Sequence, residues 1–175
     1  MSVLSDKNIR EYLDVGILQI EPLAQHAIRP NSIDLRLGPE LLIARPDGFV
    51  SHHLIDDGPL RLEQHAFILG ATLERISIGN TLTGVLAGKS SRAREGVQVE
   101  SAGLVDSGWD GRLTLEIVML SPIPTKLMVG EMIGQLYVHT LLSPCDRPYG
   151  HPDLRSRYQH STGPVESRGV IGRPS

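Results

Sequence analysis

The sequence predicts an all-β domain opened by one short helix. Beyond Gly16 the chain runs as short apolar stretches separated by turn signals, among them Arg45-Pro-Asp-Gly48, Asp56-Asp-Gly58 and Ser107-Gly108, which is the pattern of a sandwich or barrel. No helical stretches lie between the strand candidates. A parallel α/β architecture needs a crossover helix there, and the pattern speaks against it.

The elements follow in order. Ser5 is placed to N-cap a helix, with Leu4 and Ile9 as a hydrophobic staple, Ile9, Tyr12 and Leu13 on one face, and Gly16 as the stop. Strand candidates cover residues 32–37, 41–44, 67–78, 81–87, 113–120 and 132–142, several alternating apolar and polar side chains. His52-His53 reads as a surface turn. From Ser143 onward Pro, Gly, Ser, Arg and His dominate. The expectation is a single domain over residues 1–162 and a flexible tail over 163–175.

At 175 residues the chain is long enough to bury one core without staples. With 17 basic and 20 acidic residues the net charge is -3, so no global basic field favours nucleic acid or an anionic membrane, and any phosphate site must be local. One cysteine, Cys145, excludes an internal disulfide and leaves too few thiolates for a structural zinc site. No segment approaches the ~20 apolar residues of a membrane helix, and the N-terminus lacks a signal-peptide pattern. A cytoplasmic protein is expected.

Chemistry concentrates in Ala87-Gly-Lys-Ser-Ser-Arg-Ala-Arg94, Ala102-Gly-Leu-Val-Asp-Ser-Gly-Trp-Asp-Gly111 and Thr114-Leu-Glu116. Lys89 and Arg94 supply positive charge and Ser90 and Ser91 supply hydroxyl donors, which polyphosphate oxygens need. This is not a P-loop. That motif requires glycine where Thr83 stands, and Ser91-Arg-Ala-Arg-Glu-Gly96 shows no helix pattern before the β-like Val97-Gln-Val99. On composition alone the same residues read equally as a solvated turn.

In Leu113-Thr-Leu-Glu-Ile-Val-Met-Leu120, alternation places Glu116 on one face with Thr114 and Val118, opposite Leu115 and Ile117. A partly desolvated carboxylate there suits proton transfer near neutral pH; the bland alternative is an outward-facing strand glutamate. The seven histidines form no ligand triad, and both the zinc-deaminase signature and the Gly-x-Ser-x-Gly elbow are missing.

Ile28-Arg-Pro-Asn-Ser-Ile-Asp-Leu-Arg-Leu-Gly38, Gly88-Lys-Ser-Ser-Arg-Ala-Arg94, Asp106-Ser-Gly-Trp-Asp-Gly111 and Thr114-Leu-Glu116, continued by Ile133-Gly-Gln-Leu136 and Pro148-Tyr149, resemble the dCTP deaminase family of the dUTPase-like superfamily. The ordered motifs run from Ser5 to Tyr158, nearly the whole chain. The resemblance implies a distorted β jelly-roll, a homotrimer with active sites at subunit interfaces, and a C-terminal tail from Gly163 that closes over them. It implies deamination of the cytosine ring without zinc, Mg2+ only accompanying the triphosphate, and a nucleotide rather than nucleic acid or membrane as partner.

Carried over residue by residue, the resemblance makes Glu116 the proton-transfer group for water attacking C4. Such catalysis typically contributes 10²- to 10⁴-fold. Ser90, Ser91 and Arg94 match triphosphate ligands, Lys89 stands where the family has a cation, and Ser90 joins Glu116 and Asp106 as a catalytic candidate. Asp106 matches the aspartate that meets the deoxyribose, and the backbone at Ala102 and Gly103 would read the pyrimidine edge. Thr114 and Leu115 should line the base pocket, and Gln135 and Tyr149 match nucleotide contacts. Asp34 is expected to serve structure or subunit contact rather than chemistry.

Three departures bear on activity. The link from Arg94 to Asp106 is one residue shorter than in many relatives that only deaminate, resembling dUTPases and bifunctional deaminase–dUTPases, where the aspartate also positions water against the α-phosphate. Arg157-Tyr158 and Ser161 stand where the family has Lys-Tyr and a glutamine; Arg157 keeps the charge, but Ser161 is too short to replace an amide. Glu100 stands where many relatives have His or Gln, which leaves a 5-substituted dCTP open as substrate. Deamination of dCTP to dUTP, with onward hydrolysis to dUMP and pyrophosphate, is the leading expectation. A dUTPase alone would not require Glu116, and a non-catalytic nucleotide-binding trimer would draw its support from the altered tail.

Overall fold

The computed structural model describes residues 2–100 and 103–168, with Glu100 described by its backbone only. Helix α1 spans Asp6–Asp14; Ser5 caps it by accepting from the Asn8 amide at 3.4 Å, and Gly16 leaves it with φ 73°. Leu4 and Ile9 are both buried, as a staple requires.

The strands that follow are short. They are β1 (Leu18–Glu21), β2 (Ile28–Arg29), β3 (Ser32–Arg36), β4 (Glu40–Arg45), β5 (Gly48–His53), β6 (Leu60–Leu62), β7 (Phe67–Ala71), β8 (Arg75–Ile78) and β9 (Leu82–Gly88). Helix α2 (Ser90–Arg94) leads to β10 (Val97–Glu100), β11 (Leu104–Val105), β12 (Asp110–Gly111), β13 (Thr114–Met119), β14 (Thr125–Leu127) and β15 (Met132–Thr140), and a 3-10 turn covers Pro152–Leu154. No helix of the described residues is long and apolar enough to cross a membrane.

Two five-stranded sheets make the body, in the orders β10-β13-β7-β4-β5 and β11-β9-β15-β3-β2, with smaller sheets β1-β8-β12 and β14-β6. The strand pairs are antiparallel. Ile43, Ile68, Leu115 and Ile117 from one large sheet share a single buried cluster with Ile33, Leu35, Leu136 and Val138 from the other. That is a sandwich, with side chains alternating buried and half-exposed along β13 and with β3 buried on both faces, Ser32 and Asp34 included.

Three expectations are corrected. Residues 67–78 are two strands in different sheets, because Thr72 and Glu74 turn the chain: the Thr72 hydroxyl donates to the Glu74 carbonyl at 2.7 Å, and Glu74 is held by Arg36. Residues 90–94 form a short helix, which ends at Gly96 with φ 86°. His52 and His53 close β5 opposite Leu41 and Glu40, and the turn follows them.

Candidate functional site

Strand β13 sets the first part of the site. Leu115, Ile117 and Met119 are buried in the core, which leaves Thr114, Glu116 and Val118 half exposed on the other face. Glu116 lies on a central strand, paired by register with Leu69 of β7 and with Glu100 of β10. It opens into a cavity of about 510 Å³ whose other described walls are largely apolar, including Phe49, Phe67, Leu86, Trp109 and Leu113. Thr114 and Gly103 also line this cavity. Leu115 does not: its side chain is fully buried on the opposite face, so only its backbone could serve a ligand, and the expectation for it is corrected.

Gly103 has φ 76°, and its carbonyl accepts from the Leu86 amide at 2.9 Å, which starts the pairing of β11 with β9. The turn after β11 carries Asp106 into a second cavity of about 690 Å³, shared with Thr83, Ser107, Tyr149 and Arg157. Ala102 lies outside the described residues. Leu104 and Tyr158 line both cavities and so form the wall between them.

Tyr149 fastens the Asp106 turn to the chain beyond it. Its amide donates to the Ser107 carbonyl at 2.7 Å, its ring packs on Trp109 at 5.4 Å between centroids, and its hydroxyl accepts from the Tyr158 amide at 3.1 Å. Gly108 is required at this junction, because it has φ 86° and a Cβ there would sit 2.4 Å from the Pro148 Cβ.

Residues 159–168 then run along the site. The His160 amide donates to the Asp110 carbonyl at 2.7 Å, the Arg112 amide to the Ser161 carbonyl at 2.8 Å and the Val165 amide to the Thr114 hydroxyl at 3.2 Å. Val165 and Ser167 thereby line the Glu116 cavity. Arg157 and Arg168 exchange guanidinium-to-carbonyl hydrogen bonds at 3.1 and 2.6 Å. Of the expected tail, residues 163–168 are described and 169–175 lie outside the described residues.

The cationic motif stands apart. Ser90, Ser91 and Arg94 are exposed on α2, and with Lys89 they line neither cavity. The Lys89 ammonium is 2.6 Å from the carboxylate of buried Asp34, which also accepts from Arg29 at 2.7 Å. Gln135 belongs with this group: its register partners are Ala87 and Asp34, and its side-chain amide donates to the Tyr137 hydroxyl at 2.7 Å.

Helix α2 is anchored from below by Arg92, which pairs with Glu95, donates to the Lys126 carbonyl at 2.7 Å and lies 3.6 Å from Glu131. Burial pushes the Glu131 carboxyl above the usual range, against the opposing pull of Arg92. Sequence reasoning did not single out Trp109 as a wall of the Glu116 cavity, or Tyr158 as a residue lining both cavities, and it passed over Arg92 as the anchor of α2. Trp109 is the single tryptophan of the chain, and an aromatic of that size beside the Asp106 turn was the available signal.

The described residues place no three His, Cys, Asp or Glu side chains so that they could hold a metal ion. A family model described as dCTP deaminase-like matches residues 3–141. A "dCTP deaminase, dUMP-forming" of Methanothermobacter thermautotrophicus is 34% identical, covering 96% of this chain and 94% of the relative. One of Nocardia farcinica is 37% identical, covering 98% and 94%.

Among solved structures, a 2'-deoxycytidine 5'-triphosphate deaminase from Agrobacterium tumefaciens superposes with TM-score 0.66 at 20% identity, covering 79% of this chain and 48% of that one. The chain thus spans about half the length of that solved chain. A dUTPase from phage phi11 of S. aureus, in a structure described as revealing coordination of a structural Mg(II) ion, gives 0.50 at 16% identity, covering 73% and 93%. These likenesses establish a dUTPase-like fold.

Proposed function

The chain belongs to the dCTP deaminase-like family, and on that premise we propose that it converts dCTP to dUMP, ammonia and pyrophosphate, using two waters. The observation that carries this reading is the pair of adjoining cavities. Glu116 is the one carboxylate among the described residues lining the first, Asp106 the one lining the second, and Leu104 and Tyr158 line both.

In the first step water attacks C4 of the cytosine ring. Glu116 accepts its proton and passes one to the departing amine, so that ammonia leaves and a carbonyl forms. Apolar walls favour this because they exclude competing water and strengthen the field at the carboxylate. Gly103 and the backbone around it would read the pyrimidine edge, and Thr114 would frame the base. In the second step a water held by Asp106 attacks the α-phosphorus, and the bridging P–O bond to pyrophosphate breaks. The relatives' printed name, dUMP-forming, supports both steps.

Lys89, Ser90, Ser91 and Arg94 are proposed as triphosphate ligands, with Ser90 closest to the chemistry and Gln135 beside them. Within one protomer they lie apart from both cavities, which supports a homotrimer in which α2 of one copy faces the cavities of the next. Tyr149 and Arg157 would meet the nucleotide from the second cavity, and residues 163–175 would close over it. The triphosphate would bring Mg2+ with it, spreading the charge on its oxygens; exposed Asp106 is the hard-oxygen group positioned to touch that ion. A cytoplasmic setting goes with this substrate.

The deciding experiment incubates the protein with dCTP and Mg2+ and resolves the products. Equal amounts of ammonia, dUMP and pyrophosphate are expected. No ammonia release refutes the first step, and dUTP accumulating without dUMP refutes the second. Glu116→Gln should lose at least about 10²-fold in deamination while still binding dCTP.

A further inference from the structure

This inference rests on the dCTP reading above and concerns residues that no family motif assigns. The cavity beside Asp106 is lined by three arginines, Arg147, Arg155 and Arg157, against that single acid. This is a locally cationic wall in a chain whose net charge is -3. The Arg157 guanidinium donates to the Arg168 carbonyl. The Arg147 and Arg155 guanidiniums have no ion-pair or hydrogen-bond partner among the described residues.

Arg155 is also strained. It follows the 3-10 turn Pro152–Leu154 in the left-handed region with φ 48°, a conformation that glycine adopts at no steric cost and arginine does not. A strained, unpaired arginine on a cavity wall contributes nothing evident to folding, and strain of this kind gathers at ligand clamps. Meanwhile the Ser161 hydroxyl, which stands where relatives carry a glutamine, is turned back onto the Tyr158 carbonyl at 2.6 Å and does not line the cavity.

We infer that Arg155, with Arg147, clamps the terminal phosphates of the nucleotide in the Asp106 cavity and then holds the pyrophosphate leaving group. When the water oxygen bonds to the α-phosphorus, its proton goes to Asp106. The electron pair of the breaking bridge bond goes to pyrophosphate. The added charge therefore appears on oxygens facing the two guanidiniums, where fixed cations stabilise it most.

The test is calorimetric binding of inorganic pyrophosphate to the full-length protein and to Arg155→Gly, Arg155→Lys and Arg147→Ala. Arg155→Gly removes both the charge and the strain, so it should melt no lower than wild type while binding pyrophosphate about tenfold more weakly, the loss expected for one charge-assisted hydrogen bond. Its affinity for dUMP should be unchanged. Arg155→Lys should recover part of the loss, and Arg147→Ala should show a smaller one.

Equal pyrophosphate affinity in wild type and Arg155→Gly, or no binding to wild type at millimolar concentration, overturns the inference. So does an equal loss of dUMP affinity, which would mean a general collapse of the cavity. Turnover of dCTP by wild type is measured alongside: pyrophosphate binding without turnover upholds the clamp and refutes the assigned activity, and turnover without pyrophosphate binding does the reverse.

Discussion

Removing the Glu74 carboxylate should be among the most damaging single changes outside the apolar core. Glu74 is 1% exposed and Arg36 only partly so. One carboxylate oxygen accepts from the Arg36 Nε at 2.6 Å and the other from the Arg36 backbone amide at 2.9 Å, while the remaining guanidinium arm reaches the Pro22 carbonyl at 2.8 Å. Glu74→Ala leaves a largely buried cation and a backbone N–H without their acceptor. Breaking such a pair costs about 3–5 kcal/mol, against a total stability of roughly 5–15 kcal/mol for a domain.

At about 2–4 °C per kcal/mol for a chain of this length, the melting temperature should fall by roughly 6–20 °C. Urea unfolding at matched protein concentration is the assay, read as a lower midpoint with an unchanged slope. Arg36→Met combined with Glu74→Met should be less destabilised than either charge deletion alone, because no unpaired charge remains. A loss below about 1 kcal/mol in Glu74→Ala would refute the reasoning, since that is the range of exposed ion pairs.

The consequence reaches the site, because Glu74 holds the corner where Thr72 and Leu113 exchange hydrogen bonds at 2.9 and 3.0 Å just before β13 begins.

Three other outcomes follow from the geometry. Burial raises the Glu131 carboxyl above its ordinary value of 4.5, so the folded state holds a proton that the unfolded chain releases, and stability falls as pH rises from that value through the raised one. Glu131→Gln should flatten this decline in urea titrations between pH 4 and 8 without loss at neutral pH; an unchanged slope counts against it. Gly108→Ala meets both a positive φ and Pro148, so it should cost about 2–4 kcal/mol and, by moving the Asp106 turn, slow dUMP formation more than ammonia release. Equal slowing of the two would show that the turn is not specific to Asp106. Ser5→Ala should lower stability by about 1 kcal/mol through loss of the cap, read as a small shift in melting temperature, and no shift would show the cap to be redundant.

Local chemistry made parts of this fold legible. The N-cap, staple and stop of α1 involve residues within a few positions of one another, and the alternation of β13 needs only a period of two. The break at residues 72–74 was not legible, because it depends on Arg36, far away in sequence, and no glycine or proline marks it. Helix α2 was hidden for a related reason: five residues carry too little periodicity, and its anchors, the Lys126 carbonyl and Glu131, come from β14 and the turn after it. At the site, face assignment succeeded for Thr114, Leu115 and Glu116 alike; the pocket-lining role that the resemblance implied for Leu115 did not agree with that face, because a side chain buried in the core cannot also line the cavity on the other side of the strand.

The two carboxylates stand on different kinds of support, and the two proposed reactions ask different things of them. Glu116 sits mid-strand with strands paired on both sides, so the backbone that carries it is held firmly, and a firmly held base is what the proposed transfer of a proton from attacking water to departing amine requires. Asp106 sits on a two-anchor turn, tied by Tyr149 to the Ser107 carbonyl and by Gln159 to the Gly108 carbonyl at 2.8 Å. Those anchors belong to the same stretch that carries Tyr158 and leads to Val165, so whatever orders the chain beyond Tyr149 orders both cavities together. A nucleotide spanning Leu104 and Tyr158 would therefore bind the two ends of one coupled structure, and ordering contributed at its base would already be in place for hydrolysis at its α-phosphate.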